Sequence, residues 1–308
     1  MKAVMYHYVR EPDLRLPHQR FLHVDDFRRQ LDWFGRELGF VPREAFERSV
    51  ATGEPAEGVV LTFDDAVIDH VTHVLPELER RGLWGIFYVP TEPYRTGRLL
   101  PVHRVHHLIG TFGGRDLLQH LLDVVDDSML AHSHVQEFHT STYGRVDDDE
   151  ATDRFKRVLN YFIAEEHRTA AIDALVRSFG IDEATVAARY YAPAEGLREL
   201  LDAGMVLGSH SDGHRVMSTL SEEGQRRDLE TSLATLHDLL GSPVDTYCHP
   251  YGGFHSFDDA TERILSELGI RYAFNVEARD VTSKDLLERP MALPRYDCNA
   301  FPHGTAHS

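Results

Sequence analysis

Val59-Val60-Leu61-Thr62-Phe63-Asp64-Asp65 decides how this chain is read: an apolar run of strand length ends in two adjacent acids. A second apolar run ends in Ser209-His210-Ser211-Asp212-Gly213-His214. Side chains alternate across a strand, so two acids at its end must diverge, one free to bind a cation and the other to face water. His210 and His214 are four apart, which lets both imidazoles reach one ion from a single turn after a strand. One carboxylate and two imidazoles are the protein ligands of a catalytic zinc-type site with a position left for water. The pattern differs from the H-E-x-x-H helix of metalloproteases. Ser211 stands where that helix carries its base, and Gly213 argues for a loop. Asp64 is then the candidate base.

Working outward, apolar residues at helical spacing follow Asp25 (Phe27, Leu31, Phe34, Leu38) and close at Gly39. Val67, Val71, Val74, Leu75 and Leu78 make a second helical face ending at Gly82, with Pro76 expected to kink or divide it. Gly85 to Val89 reads as a strand, and helix Glu195 to Ala203, strand Met205 to Leu207 and helix Asp228 to Leu240 repeat the rhythm. Strand Thr246 to Cys248, a helix near Asp259 to Leu268, strand Tyr272 to Val276 and a last strand near Met291 to Leu293 complete it. Repeated strand and helix units imply parallel strands with helices outside, an α/β barrel or an open doubly wound sheet. Both acidic and histidine motifs fall at the C-terminal ends of strands, where such folds collect catalytic residues. The segment from about Pro93 to Tyr191 breaks the rhythm with helical patterns such as Leu117, Leu118, Leu121, Leu122 and Val125. It reads as a helical insertion within one domain covering 1–308, either a lid or wall over the site or a scaffold or dimerisation element.

At this point the chain resembles the NodB-like polysaccharide deacetylases, carbohydrate esterase family four, whose motifs read T-F-D-D-G and H-[ST]-x-x-H. Here they stand as Thr62-Phe63-Asp64-Asp65-Ala66 and His210-Ser211-Asp212-Gly213-His214. The likeness covers residues 1–90 and 195–297. It implies a distorted (β/α)7 barrel with a helical insertion, Asp64 as base, and a divalent metal on Asp65, His210 and His214. Zinc is the first choice, with cobalt, nickel, manganese or iron as alternatives. The third motif, R-x-P-[FY]-G, is matched by Cys248-His249-Pro250-Tyr251-Gly252, with Cys248 in place of the arginine. Tyr251 would offer its backbone N–H to the oxyanion. The late L-x-H motif that supplies the family's general acid is absent. The chain reads instead Ala292-Leu293-Pro294-Arg295-Tyr296-Asp297, like a branch linked to surface-polysaccharide and amino-sugar biosynthesis. Arg295 can replace the missing arginine in space, and His249 or another histidine the acid. Thr62, His249, Pro250 and Arg295 are substrate-contact candidates. So is His7, near the end of the first strand, although it reads as a satisfied core histidine slightly ahead of a substrate contact.

The implied reaction is removal of an N-acetyl group from an amino sugar or sugar conjugate through a water on the metal. A sugar deformylase or another non-peptide C–N hydrolase is the near alternative, and a sugar-binding protein without turnover the alternative from another class. The partner is a small molecule or glycan carrying an acylated amine. With 308 residues and 42% hydrophobic content, the chain can bury a sizeable core. A formal net charge of -18 disfavours nucleic acid and anionic membranes. No signal peptide and no run of about 18 apolar residues is visible, so a cytoplasmic protein without a membrane span is expected. A homo-oligomer stays open. Cys248 and Cys298 read as buried inert thiols ahead of a thiolate ligand. His103, His106 and His107, with His132 and His134, lack an accompanying acid or cysteine pattern and read as a solvated helix face ahead of a second metal site. Asp147-Asp148-Asp149 reads as a turn or helix start, since the Gly and Glu of a calcium loop are missing.

Overall fold

The computed structural model describes residues 1–131 and 148–307, with backbone alone at Asp148, Asp149 and Glu165. His132, His134 and Asp147 lie outside the described residues. Two compact units are present. Met1–Glu11, Phe21–Arg98 and Ala187–His307 form the first, and Pro12–Arg20 with Leu99–Val186 the second.

The first unit is built on seven parallel strands. They are β1 (Lys2–Tyr6), β4 (Val59–Phe63), β5 (Ile86–Val89), β6 (Val206–Ser209), β7 (Thr246–Cys248), β8 (Tyr272–Phe274) and β9 (Tyr296–Asp297), in the order β8-β7-β6-β5-β4-β1-β9. β2 (Val9–Arg10) and β3 (Leu22–His23) form a separate parallel pair that the sequence did not suggest. The strands are apolar on both faces because each face is covered. Val4, Tyr6, Leu61, Phe63, Phe87, Val89 and Leu207 pack on the helices. Ala3, Val60, Ile86, Tyr88, Cys248, Tyr272, Phe274 and Leu293 pack on one another inside a curled sheet. The curled sheet with helices outside is the expected (β/α) barrel rather than a flat doubly wound sheet.

The last segment explains the curl. Leu293 bridges to Phe274 at one edge, while Tyr296 and Asp297 pair with Val4 and Met5 at the other. The expected strand near Met291 to Leu293 is therefore displaced, because Pro290 and Pro294 lack the N–H groups a continuous ladder needs. Pro290–Ala292 is a single 3-10 turn instead. Of the two expectations for Pro76, division rather than a kink is the one seen. The helical stretch after β4 splits into a π-helical turn at His70–Val74 and helix Leu75–Arg81, and Pro76 sits in the first turn of the latter, where its missing N–H has no partner to lose. Helix Val24–Glu37 buries Phe27, Leu31 and Phe34 as the periodicity predicts. Helix Glu222–Leu240 begins a turn and a half earlier than expected, with Ser221 capping Gly224 N–H.

Helices Pro101–Val124, Asp148–Arg157 and Glu165–Ser178 make up most of the second unit, around Leu117, Leu121, Phe155, Leu159, Phe162 and Leu175. Pro12–Arg20 is counted with it, a connection no periodicity signals. His103 is buried in the first of these helices, its ring 6.0 Å from that of His106. Among the described residues, no helix is long and apolar enough to cross a membrane.

Candidate active site

Asp64 and Asp65 follow β4 directly, and the pleat alone does not separate them. Asp64 keeps the parity of Val60 and Thr62 and enters the curled sheet, where Arg295 and Cys248 meet it. Asp65 turns away at φ 79°, in the left-handed region, and Ala66 follows at φ 50°. Ser211, His214 and Tyr251 also take positive φ, so five of the six described non-glycine residues in that region lie at this site. Such conformations cost about 1–3 kcal/mol each and persist where surrounding structure holds them.

The histidine loop after β6 is held accordingly. Asp228 accepts hydrogen bonds from the N–H groups of Asp212 (2.8 Å) and Gly213 (3.2 Å). Thr91 Oγ1 and Arg95 Nε donate to the Asp212 carboxylate at 2.7 and 3.0 Å. His214 N–H donates to Ser211 Oγ at 2.8 Å. His210 Nδ1 lies 2.8 Å from the Cys248 carbonyl, so it carries the proton and leaves Nε2 with its lone pair. Burial pushes the His210 imidazole below its usual pKa, against the pull of Asp64 and Asp65, and so favours the neutral ligating form.

Asp65 Oδ1 lies 3.6 Å from His210 Nε2 and 3.4 Å from His214 Nε2. Bonds of about 2.1 Å at tetrahedral angles separate neighbouring donors by about 3.4 Å, so this trio fits a zinc-sized divalent ion. A second group, Asp64, His210 and Cys248, also clusters. It suits an ion poorly, because the Arg295 guanidinium contacts both Asp64 and Cys248. Burial raises the Cys248 thiol well above its usual pKa despite Arg295, so it stays protonated and reads as a core thiol.

Arg295 is almost fully buried and forms a two-pronged pair with Asp64, Nη1 to Oδ1 at 2.8 Å and Nη2 to Oδ2 at 2.7 Å. Its remaining contacts run from Nη1 to Thr62 Oγ1 (3.0 Å), from Nη2 to Cys248 Sγ (3.0 Å) and from Nε to the Asn275 carbonyl (3.2 Å). Burial alone would push the Asp64 carboxyl up. Arg295, with help from His210 and His7, outweighs that and holds it at about 2.

The remaining predicted residues divide. His7, just past β1, has a side chain 37% exposed, with Nε2 4.0 Å from Asp64 Oδ2. Tyr251 is exposed, its ring 4.9 Å from that of His214. Thr62 is buried, donating to the Val4 carbonyl while accepting from Arg295, so it steadies the guanidinium from below. Pro250 is buried in the turn before Tyr251. His249 is stacked on Phe257 at 3.8 Å, with Nε2 2.8 Å from the Met291 carbonyl, and burial lowers its pKa to about 3. That imidazole is neutral and its Nε2 proton is committed to the main chain. Sequence reasoning missed Asp228, Thr91 and Arg95, which shape the histidine loop without carrying a motif of their own.

A family model described as polysaccharide deacetylase matches residues 52–273. No curated protein matches the chain. Among solved structures it is similar to the Streptococcus pyogenes deacetylase PplD in complex with acetate, at 15% identity and a TM-score of 0.58, covering 96% of this chain and 91% of that one. It is similar to IcaB from Ammonifex degensii at 17% identity and a TM-score of 0.53, with the same coverage of 96% and 91%. A polysaccharide deacetylase from Bacillus cereus, BC0361, follows at 12% identity and 0.54, covering 96% of this chain and 64% of that one. At these identities the likeness is one of fold.

Proposed function

The chain belongs to the polysaccharide deacetylase family, and from that premise we propose that it hydrolyses the N-acetyl group of an amino sugar in a glycan or sugar conjugate with the help of one divalent metal ion. The observation that carries the reading is the separation of two adjacent carboxylates. Asp65 faces His210 and His214 at donor spacing, while Asp64 faces Arg295 and the half-exposed His7.

Asp65, His210 and His214 would hold the ion, which when bound polarises an acyl oxygen and lowers the pKa of a water. Asp64, ionised and fixed by Arg295, takes the proton of the attacking water. The backbone N–H of Tyr251, in a turn at φ 62°, is offered to the oxyanion, a type of contact worth about 3 kcal/mol. The amine must then gain a proton to leave. His249 is a poor donor because its Nε2 proton is held by Met291. His7 stands beside Asp64 with solvent access, and we assign it that role. Replacing His7 with glutamine should lower kcat about 10²- to 10⁴-fold with little change in metal content. A loss of less than threefold in steady-state acetate release would remove His7 from the mechanism.

The test of the whole reading is acetate and formate release from a panel of free, nucleotide-linked and oligomeric N-acyl amino sugars. Activity should vanish with a chelator and return with zinc or cobalt. The double replacement His210→Ala and His214→Ala should abolish stoichiometric metal, and full retention in elemental analysis of the purified protein would sink the ligand assignment.

A further inference from the structure

We propose that His70 is a positioning residue for His7, fixing the main chain from which that imidazole reaches Asp64. This rests on the assignment of His7 as donor of the proton that the leaving amine needs. Nε2 of His7 is 4.0 Å from Asp64 Oδ2, beyond hydrogen-bond range, so that contact does not fix the ring. Its placement falls to the backbone.

His7 lies between β1 and β2 and belongs to neither strand. The carbonyls on either side of it are taken by main-chain N–H groups, that of Tyr6 by Asp64 (2.9 Å) and that of Tyr8 by Leu22 (2.9 Å). The His7 carbonyl between them instead meets His70 Nε2 at 3.0 Å. The residues that follow are gripped from the same helical start. Arg10 Nε donates to Asp69 Oδ2 at 2.7 Å, and its guanidinium lies 5.1 Å from the centre of the Tyr8 ring, whose hydroxyl pairs with that of Tyr190. Asp69 and His70 stand at the head of the π-helical turn, a form frequent at functional sites.

The chemistry of His70 suits this task. Its ring is fully buried and edge-on to Phe63 and Phe87, with ring centres 5.6 and 5.5 Å away. Burial lowers its pKa to about 4, so it is neutral and carries one proton. A carbonyl only accepts, which puts that proton on Nε2 and leaves Nδ1 as a bare acceptor. Nδ1 has no hydrogen-bond partner among the described residues, and an unsatisfied buried acceptor costs stability. A phenylalanine would fill the space beside Phe63 and Phe87 without that cost. What the imidazole adds over it is the bond to His7.

Steady-state kinetics on the zinc-loaded protein test this, with the N-acetyl amino sugar of the panel that turns over fastest and with para-nitrophenyl acetate, whose nitrophenolate leaves without a proton. His70→Phe should lower kcat on the amide about 10- to 100-fold, as a misplaced catalytic group does, with KM, metal content and ester turnover within about twofold of the parent. His70→Gln, which can still donate to the His7 carbonyl, should keep at least about a third of the amide rate. Adding His70→Phe to His7→Gln should cost no more than about twofold beyond His7→Gln alone, because the two act as one. Where His7→Gln lowers amide turnover as expected, a loss below about threefold in His70→Phe, equal losses on ester and amide, or independent losses in the double variant overturn the proposal. His70→Leu takes the place of His70→Phe should that chain not fold. The His7 ring signal in NMR spectra of histidine-labelled protein, assigned by its absence in His7→Gln, separates the two readings. A signal displaced or broadened in His70→Phe but not in His70→Gln, with amide turnover indifferent to His7→Gln, upholds the positioning and fails the acid assignment. An unmoved signal overturns the positioning, and turnover that still depends on His7 then leaves the acid assignment standing.

Discussion

Asp64→Asn is expected to lower kcat about 10³-fold, within the range of 10²–10⁴ for losing a positioned base, while metal content stays at the parent's level. Asparagine keeps the size and one acceptor of the side chain but cannot take a proton from water at neutral pH. The proposed ligands of the ion, Asp65, His210 and His214, are untouched by the change. A second effect accompanies the first. Arg295 would face a neutral amide in a buried setting, and breaking a buried pair by removing one partner costs about 3–5 kcal/mol. Thermal melts read beside the kinetics separate the two effects, because turnover of the folded fraction falls far more than unfolding explains. Turnover within threefold of the parent, at equal metal content, would place the base elsewhere.

Arg295→Met breaks the same buried pair from the other side and should cost a comparable amount, about 3–5 kcal/mol. Methionine fills comparable space and removes every donor, leaving the buried carboxylate of Asp64 without its cation and Thr62 without the N–H it accepts. At about 2–4 °C per kcal/mol for a chain of this size, the melting temperature should fall by about 10 °C. The informative measurement is a double-mutant cycle with Asp64→Asn. Residues that stabilise each other lose less together than the sum of their separate losses. Coupling above 1 kcal/mol is expected here. Additive losses would mean that Arg295 supports the fold without acting through Asp64.

How much of this was legible beforehand follows from which interactions are local. The acids at the end of β4 and the histidines after β6 could be read because strand alternation and the four-residue spacing act within a few residues. Helix Val24–Glu37 was legible for the same reason, from Phe27, Leu31 and Phe34. The strand closing the ring was misplaced. Its pairing is split between Leu293 on one edge and Tyr296 on the other, and a hydropathy window sees only Met291 to Leu293. The left-handed turn at Asp65 was hidden because neither residue there is glycine. His249 looked available from its motif, and only packing against Phe257 and Met291 shows its proton to be committed. Arg295 was read as able to replace in space the arginine missing at Cys248, and it stands beside that thiol from the irregular stretch just before β9.

The segment joining both edges of the sheet also sets an order in time. Arg295 and Asp64 are 231 positions apart in sequence. During synthesis the proposed metal ligands and base leave the ribosome long before the cation that pairs with Asp64, and contacts of such separation are costly to close. Until residue 295 has joined the sheet, Asp64 lacks the guanidinium that in the finished structure outweighs the effect of burial on its carboxyl. The proposed hydrolytic competence then depends on both edges of the sheet being joined, because that junction delivers Arg295 to Asp64.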